Sequence, residues 1–262
     1  MTLGGASARL TVASYNIHGG VGRDGRRDVE RVARVIESLD ADIIALQEVE
    51  SRRASAGDPL QMDVLGHLVG LEAISGPTIE RADSHYGNAL LTRLPIRAVR
   101  KLDLTFRRRE PRGAIDVDFD VAGIPVRVIG THLGLTPRER RHQVQRILET
   151  VADQKEGLTV LLGDINEWLV TGRPLRWLHR RFGECNAQRT YPAWFPIFAL
   201  DRIWVHPKDA LLRFEVRGTP EARAASDHLP VRAELAIAAS LGPISSSAGE
   251  AGEGEERGPA RH

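Results

Sequence analysis

The apolar run Leu158–Leu162, LTVLL, delivers the chain into Gly163-Asp164-Ile165-Asn166, a carboxylate and a carboxamide two residues apart. The pattern recurs along the chain. LTVASYNI ends at Asn16, with His18 just beyond; DIIALQEV carries Glu48; VRVIGTHL ends at His132; ALDRIWV holds Asp201; and ASDHLPV holds Asp227-His228. A single polar residue at a strand end is usually satisfied by nearby backbone. Six β-prone segments that each end in Asn, Asp, Glu or His instead predict a common sheet edge lined with oxygen donors, two histidines and two carboxamides.

Oxygen donors without thiolates select a hard cation, Mg²⁺ or Mn²⁺, usually held by one or two carboxylates together with substrate oxygens. The histidines fit as donors to an anionic substrate, one of them as a general acid or base. Hydrolysis of a phosphate ester uses all of these parts: a cation on the phosphoryl oxygen, a carboxylate for the water, and donors for the developing charge.

The elements that must position these residues are legible as apolar runs bounded by Gly, Pro or Asp. Strands are expected near 9–17, 42–47, 71–75, 86–92, 97–104, 113–121, 124–131, 158–163, 200–205, 211–216 and 229–237. Ala122-Gly123 joins two alternating runs as a hairpin. Helices are expected over DVERVARVIESL with Asp28 as cap, near 60–69, and over about 137–156 with Pro137 in the first turn. Hairpins and helices mix without a strict βαβ rhythm, which favours two sheets flanked by helices over one doubly wound sheet.

The 262 residues, 42% hydrophobic and 27% charged, suit one large globular domain. The net charge of +1 gives no global field toward nucleic acid or membrane. Lysine occurs only at 101, 155 and 208, so nearly all positive charge is arginine, as a GC-rich genome would also give. Cys185, the one cysteine, excludes an intrachain disulfide and a structural thiolate zinc site. No signal-peptide core or membrane span is visible, so the expectation is a cytoplasmic monomer with no obligate protein partner. Residues 1–239 are expected to form the domain, and the Gly/Ser/Glu-rich stretch 240–262 a disordered tail.

Taken in order, SYNI, LQEVE, YGNALLTRLPI, THLGL, LLGDINEW, LDRIWV and SDHLPV resemble the endonuclease/exonuclease/phosphatase superfamily, over roughly residues 9–237. The resemblance implies a four-layer α/β sandwich, two mixed, mainly antiparallel β-sheets face to face with helices outside. It implies Glu48 as principal Mg²⁺ ligand, Asn16 beside it and Asp227 near the metal. Asp164 would position or activate water, and Asn166 and His132 would bind the phosphate. His228 would meet the phosphate in the transition state, with Asp201 fixing its tautomer. Arg112 either matches an arginine that some members aim at the phosphate or is a solvated charge of the cluster at 107–109 and 112. Asn88, in YGNALL, is a further substrate-binding candidate. Tyr86 lies upstream of the expected strand and is a poor counterpart of the phosphate-facing tyrosine of repair endonucleases. The implied activity is metal-dependent hydrolysis of a phosphodiester, a nuclease first and a lipid or small-molecule phosphodiesterase second, with nucleic acid among the partners.

Rival readings are weaker. GVGRDG, residues 20–25, fits a dinucleotide-binding G-x-G-x-x-G, but Asn16 and His18 intervene and Arg26-Arg27-Asp28 follows where close helix packing is needed. A flexible loop over the site is the better expectation. Ser226-Asp227-His228 is a poor triad, because adjacent residues on one strand point to opposite faces. A non-catalytic binding module would leave every filled catalytic position unexplained. The basic stretches RRREPR, RERRHQVQR and HRRF could track a phosphate backbone. The aromatic TYPAWFPIF, residues 190–198, could stack a base or meet a lipid headgroup, with packing under a loop the first expectation.

Overall fold

The structure is a computed structural model and describes residues 8–52, 60–81, 84–152 and 157–237. The stretch 240–262, expected to be a disordered tail, lies outside the described residues.

Eleven strands form two sheets. The first contains β1 (Ala8–Asn16), β2 (Ile43–Arg52), β3 (Glu72–Glu80), β4 (Ser84–Thr92), β10 (Leu211–Val216) and β11 (Val231–Ile237) in the order β10-β11-β1-β2-β4-β3. The second runs β5 (Ile96–Asp103), β6 (Gly113–Val121), β7 (Ile124–His132), β8 (Leu158–Asp164), β9 (Asp201–His206). Each is antiparallel except for one central pair, β1/β2 in the first and β7/β8 in the second. Helices α1 (Val29–Leu39) and α3 (Pro137–Thr150) bridge these parallel pairs as crossovers, which parallel neighbours require.

The strands alternate. Leu10 and Val12 of β1, Ile43 and Ala45 of β2, Val117 and Phe119 of β6, and Val160 and Leu162 of β8 fill the core between the sheets. The opposite side chains of the first sheet, Ala13, Tyr15, Ile44 and Leu46, pack on α1, with Leu65 of α2 (Gln61–Val69) and Ala222 of α5 (Pro220–Ala225). Those of the second sheet, Ile129, Leu161 and Trp204, pack on α3 and α4 (Arg173–Phe182). Layers therefore run helix, sheet, sheet, helix, the sandwich that the resemblance implies.

Local signals act as the sequence suggests. Asp28 caps α1 by accepting from Arg31 N at 2.8 Å. Thr136 and Glu139 form a capping box ahead of Pro137. Ala122 (φ 54°) and Gly123 (φ 82°) take the left-handed conformations that a two-residue hairpin between right-twisted strands needs. Two helices were not expected. The arginine-rich α4 reads as a basic surface stretch, yet Leu175, Leu178 and Phe182 form its buried stripe. The short α5 hides behind the Gly218-Thr219-Pro220 turn signal.

The outer face of β5–β7 carries a charged ladder. Asp116, fully buried, accepts bidentate bonds from Arg100 (2.9 and 3.0 Å) and Arg127 (2.5 and 2.8 Å). Burial alone would raise its pKa, but the two guanidiniums outweigh burial and hold the carboxyl below the usual range. A depressed folded pKa contributes stability that is complete above the unfolded value, about 3.9, and is lost as pH falls through the folded one. Asp116→Asn is expected to lower the unfolding free energy at pH 7 by roughly 2–4 kcal/mol, since Arg100 keeps part of its hydration. Urea titrations from pH 7 to pH 3 should also show a shallower acid loss in the variant than in the wild type.

Candidate active site

The two parallel pairs end at the same edge of the sandwich, and ligands collect outside the carboxyl ends of such strands. Asn16 closes β1, and its Nδ2 donates to Glu48 Oε1 (2.9 Å) on β2 and to Asp164 Oδ2 (3.1 Å) at the end of β8. A carboxamide from one sheet thus ties together carboxylates from both. Its own Oδ1 accepts from His18 N at 3.1 Å.

Local backbone aims each group. The pairing of β2 with β4 shifts register between Leu46 and Val49, a bulge that contains Gln47 and Glu48. Gln47 stays buried against Ser14, while Glu48 adopts φ 55°. The left-handed region disfavours a residue with Glu's side chain, so the bulge holds the carboxylate out at a strain cost of about 1–2 kcal/mol. Gly163 has φ 147°, and a Cβ there would run into the Thr131 carbonyl, so only glycine lets β8 present Asp164 in this way. Asn166, at φ 51°, donates its backbone N–H to Asp164 Oδ1 (2.9 Å), which orients the carboxylate.

His228 Nδ1 lies 2.8 Å from Asp201 Oδ2, and its Nε2 is 3.7 Å from Asp164 Oδ2. Burial works against a charged ring, but Asp201 and Asp164 outweigh it and push the pKa up to about 10, so the ring is an imidazolium at neutral pH. His132 is the opposite case. Burial lowers its pKa to about 3, with Asp164 only partly opposing, so its 3.5 Å approach to Asp164 is a neutral contact. Asn166 Nδ2 lies 3.0 Å from both His132 Nε2 and Leu133 O, which commits both amide protons. Glu48 is raised, first by burial and then by Asp227 and Asp164, with the Asn16 bond opposing.

These groups line a cleft of about 270 Å³ together with Tyr86, Glu110, Arg112, Tyr191 and Trp168. Of the sequence candidates, Glu48, Asp164, Asn166, His132, His228, Asp227 and Arg112 reach it. Asn16 and Asp201 sit directly behind. Asn88 is placed elsewhere: it is not among the cleft-lining residues, and its Nδ2 donates to Gly113 O (2.9 Å), tying β4 to the start of β6. Ser226, Asp227 and His228 lie in a turn between α5 and β11, not on a strand, and still form no triad, because Ser226 Oγ donates to Asn16 O at 2.7 Å.

Residues 13–228 match the Endonuclease/Exonuclease/phosphatase family. The chain belongs to this family. It is accordingly a metal-dependent phosphoester hydrolase. It is similar to the Escherichia coli (strain K12) protein YbhP, 29% identical over 86% of this chain and 95% of YbhP. Solved structures share the fold. A mannosyl-6-phosphatase of Bacteroides thetaiotaomicron is 20% identical, with a TM-score of 0.67 over 86% of this chain and 99% of its own. Truncated Caenorhabditis elegans TDP2 is 20% identical, with a TM-score of 0.62 over 88% and 98%.

Two expectations about this phosphoesterase change. Tyr86 lies within β4 and lines the cleft; β4 starts two residues earlier than its apolar run suggests. Burial and Glu48 raise its phenol, which therefore stays a neutral donor. Arg112 is no solvated charge. It is buried, bonded to Glu110 at 2.9 Å, and its buried Nε–H has no protein partner. The arginines at 107–109 are exposed, so burial separates Arg112 from its sequence neighbours. The GVGRDG segment is an ordered loop, bridged Val21 to Arg27 and tied to Glu50 through Arg27.

Glu48→Gly removes both the left-handed strain and a carboxylate crowded by like charge. In EDTA the variant is expected to be about 1 kcal/mol more stable to urea than the wild type, while hydrolysis is lost. Equal or lower stability would mean that the bulge stores no strain.

Proposed function

We propose that this cleft hydrolyses a phosphodiester by water attack, with a hard divalent cation, Mg²⁺ or Mn²⁺, on the Glu48 side and the Asp201–His228 pair on the other. The observation that carries the reading is the meeting of Glu48, Asn16 and Asp164 within hydrogen-bond reach across two sheets, with an imidazolium 3.7 Å from Asp164.

The residues fit a cation. Glu48, Asp164 and Asp227 gather negative charge that raises Glu48, and all offer oxygen. Asp164, Asp201 and His228 also place ligand atoms within 4.8 Å of one another. That trio suits an ion less well, because His228 holds a proton on its ring and a protonated nitrogen cannot ligate. Glu48, flanked by Asn16 and Asp227, is therefore the seat. When bound, the cation polarises the phosphoryl oxygen and offsets its developing charge.

The chain's own groups do the rest. Asp164, oriented by the Asn166 amide and by Asn16, positions the water and accepts its proton. His228, held by Asp201, donates to the phosphoryl oxygen as charge builds. Arg112, with its unpaired Nε–H, and the neutral Tyr86 phenol line the same cleft and add donors to it. A phosphoryl oxygen would take over one Asn166 proton from His132, which leaves His132 as the residue that holds this amide ready. A nuclease is the more specific reading, supported by the exposed Arg107, Arg108 and Arg109 beside Arg112, which could follow a phosphate backbone.

Turnover of bis(p-nitrophenyl) phosphate, plasmid DNA, single-stranded DNA and RNA with Mg²⁺ or Mn²⁺ tests the proposal. Asp164→Asn should lower kcat/KM by about 10²–10⁴-fold, and EDTA should abolish it reversibly. Full activity in either control overturns the mechanism. Asp201→Asn removes the main charge that holds the His228 proton, so the alkaline limb of the pH profile should move down by about one unit or more. An unmoved limb would remove His228 as the donor.

A further inference from the structure

Ten large apolar side chains are exposed among the described residues, and seven belong to three loops that meet at the cleft mouth. Leu135 follows β7. Trp168, Leu169 and Val170 follow Asn166, with Val170 79% exposed. Trp194 and Phe195, 60% and 62% exposed, and Ile197 follow Tyr191, so this aromatic stretch does not pack under a loop. Trp168 joins the last two loops through edge contacts with Tyr191 and Phe198, at 5.7 and 4.7 Å.

The rim is built, not slack. Arg140 and Glu167, both buried, pair at 3.1 and 3.2 Å; Arg140 also donates to Leu135 O (2.6 Å), and Glu167 accepts from Leu169 N (3.2 Å). One ion pair thereby sets two of the loops. The third is pinned to the catalytic turn by Ala193 N donating to Asp227 O at 2.6 Å. An apolar patch of this kind on a rigid frame marks a binding surface.

Charge indicates what covers it. From Trp168 to Leu200 the chain carries five arginines and one acid, Glu184. Gly172 leads from the Val170 loop into α4, whose exposed face bears Arg173, Arg176 and Arg180, while Arg23 lies 5.9 Å over the Trp194 ring. Tryptophan and aliphatic tips ringed by arginine match the interface of an anionic bilayer, apolar groups at the acyl boundary and cations among the headgroups. Four of the seven tips are aliphatic and offer a base no stacking face, which disfavours single-stranded nucleic acid.

We propose that this rim docks the enzyme on an anionic lipid surface, with the cleft opening onto headgroup phosphoesters. The surface rests on geometry alone; the choice of headgroup as substrate rests on the phosphoesterase reading above.

Co-sedimentation of the full chain, as the inactive Asp164→Asn protein, with phosphatidylcholine vesicles containing half phosphatidylglycerol separates the two. Binding is expected and should weaken about tenfold or more with Trp194→Ser/Phe195→Ser added. In the Asp164-intact background the same double variant should keep bis(p-nitrophenyl) phosphate turnover and lose turnover of vesicle lipid. Absent binding, or binding that the double substitution leaves unchanged, overturns the docking proposal. So does a single-stranded oligonucleotide whose binding the substitution abolishes, or a dimer in sedimentation that it dissolves. Vesicle binding without turnover of any phosphodiester supports docking and overturns only the catalytic reading.

Discussion

The site depends on one carboxamide. Asn16 places two N–H donors between a carboxylate of each sheet and so joins Glu48 to Asp164. A neutral bridge is the chemistry needed there. Lysine or arginine would pair with both carboxylates and take the charge that a cation must supply, while an apolar residue would strip Glu48 Oε1 and Asp164 Oδ2 of their shared donor in a buried place. The bridge works only because the inter-sheet core fixes how β1 lies against β8. Leu10 and Val12 pack in the same cluster as Val160 and Leu162, so the strand ends meet with little freedom.

The same burial gives the two histidines opposite charges. Both rings are nearly sealed from water, which alone would neutralise both. His228 keeps its proton because Asp201 lies on Nδ1 at 2.8 Å, whereas His132 meets an amide at 3.0 Å and Asp164 only at 3.5 Å. A distance difference of under an ångström, combined with the chemistry of the nearest partner, separates a charged donor from a neutral prop. The cleft is then lined by four carboxylates, Glu48, Glu110, Asp164 and Asp227, against one imidazolium and Arg112, an imbalance that a divalent cation corrects.

Much of this was legible in the sequence because period-two alternation ending in a polar residue is local. Every expected strand is present, and the strand-end residues Asn16, Glu48, His132, Asp164, Asp201 and His228 do gather. What escaped was non-local. The bulge at Gln47-Glu48 lets β2 run on to Arg52, well past its apolar run, and no propensity marks it. Tyr86 reads as lying upstream of its strand because β4 begins with Ser84 and His85, which look like loop residues but pair with Arg52 and Ser51. Asn88 looked available, yet a backbone carbonyl of the other sheet claims it. Arg112 could not be told from its neighbours, since only tertiary packing buries one arginine and exposes three.

The Arg140–Glu167 pair is the remaining clue to how the mouth of the cleft is organised. Taking two charges out of water costs several kcal/mol per ion, so such a pair contributes little net stability and is a poor reason for its own existence. Its geometry shows what it does. Arg140 spends one nitrogen on the carbonyls of Gly134 and Leu135, and Glu167 sits one residue after Asn166 and one before Trp168. The pair therefore clamps, from a single point, the residue that holds the amide of the site and the apolar tips that face solvent. Chemistry and surface recognition are set by the same buried contact, and a displacement of either loop would be felt by the other.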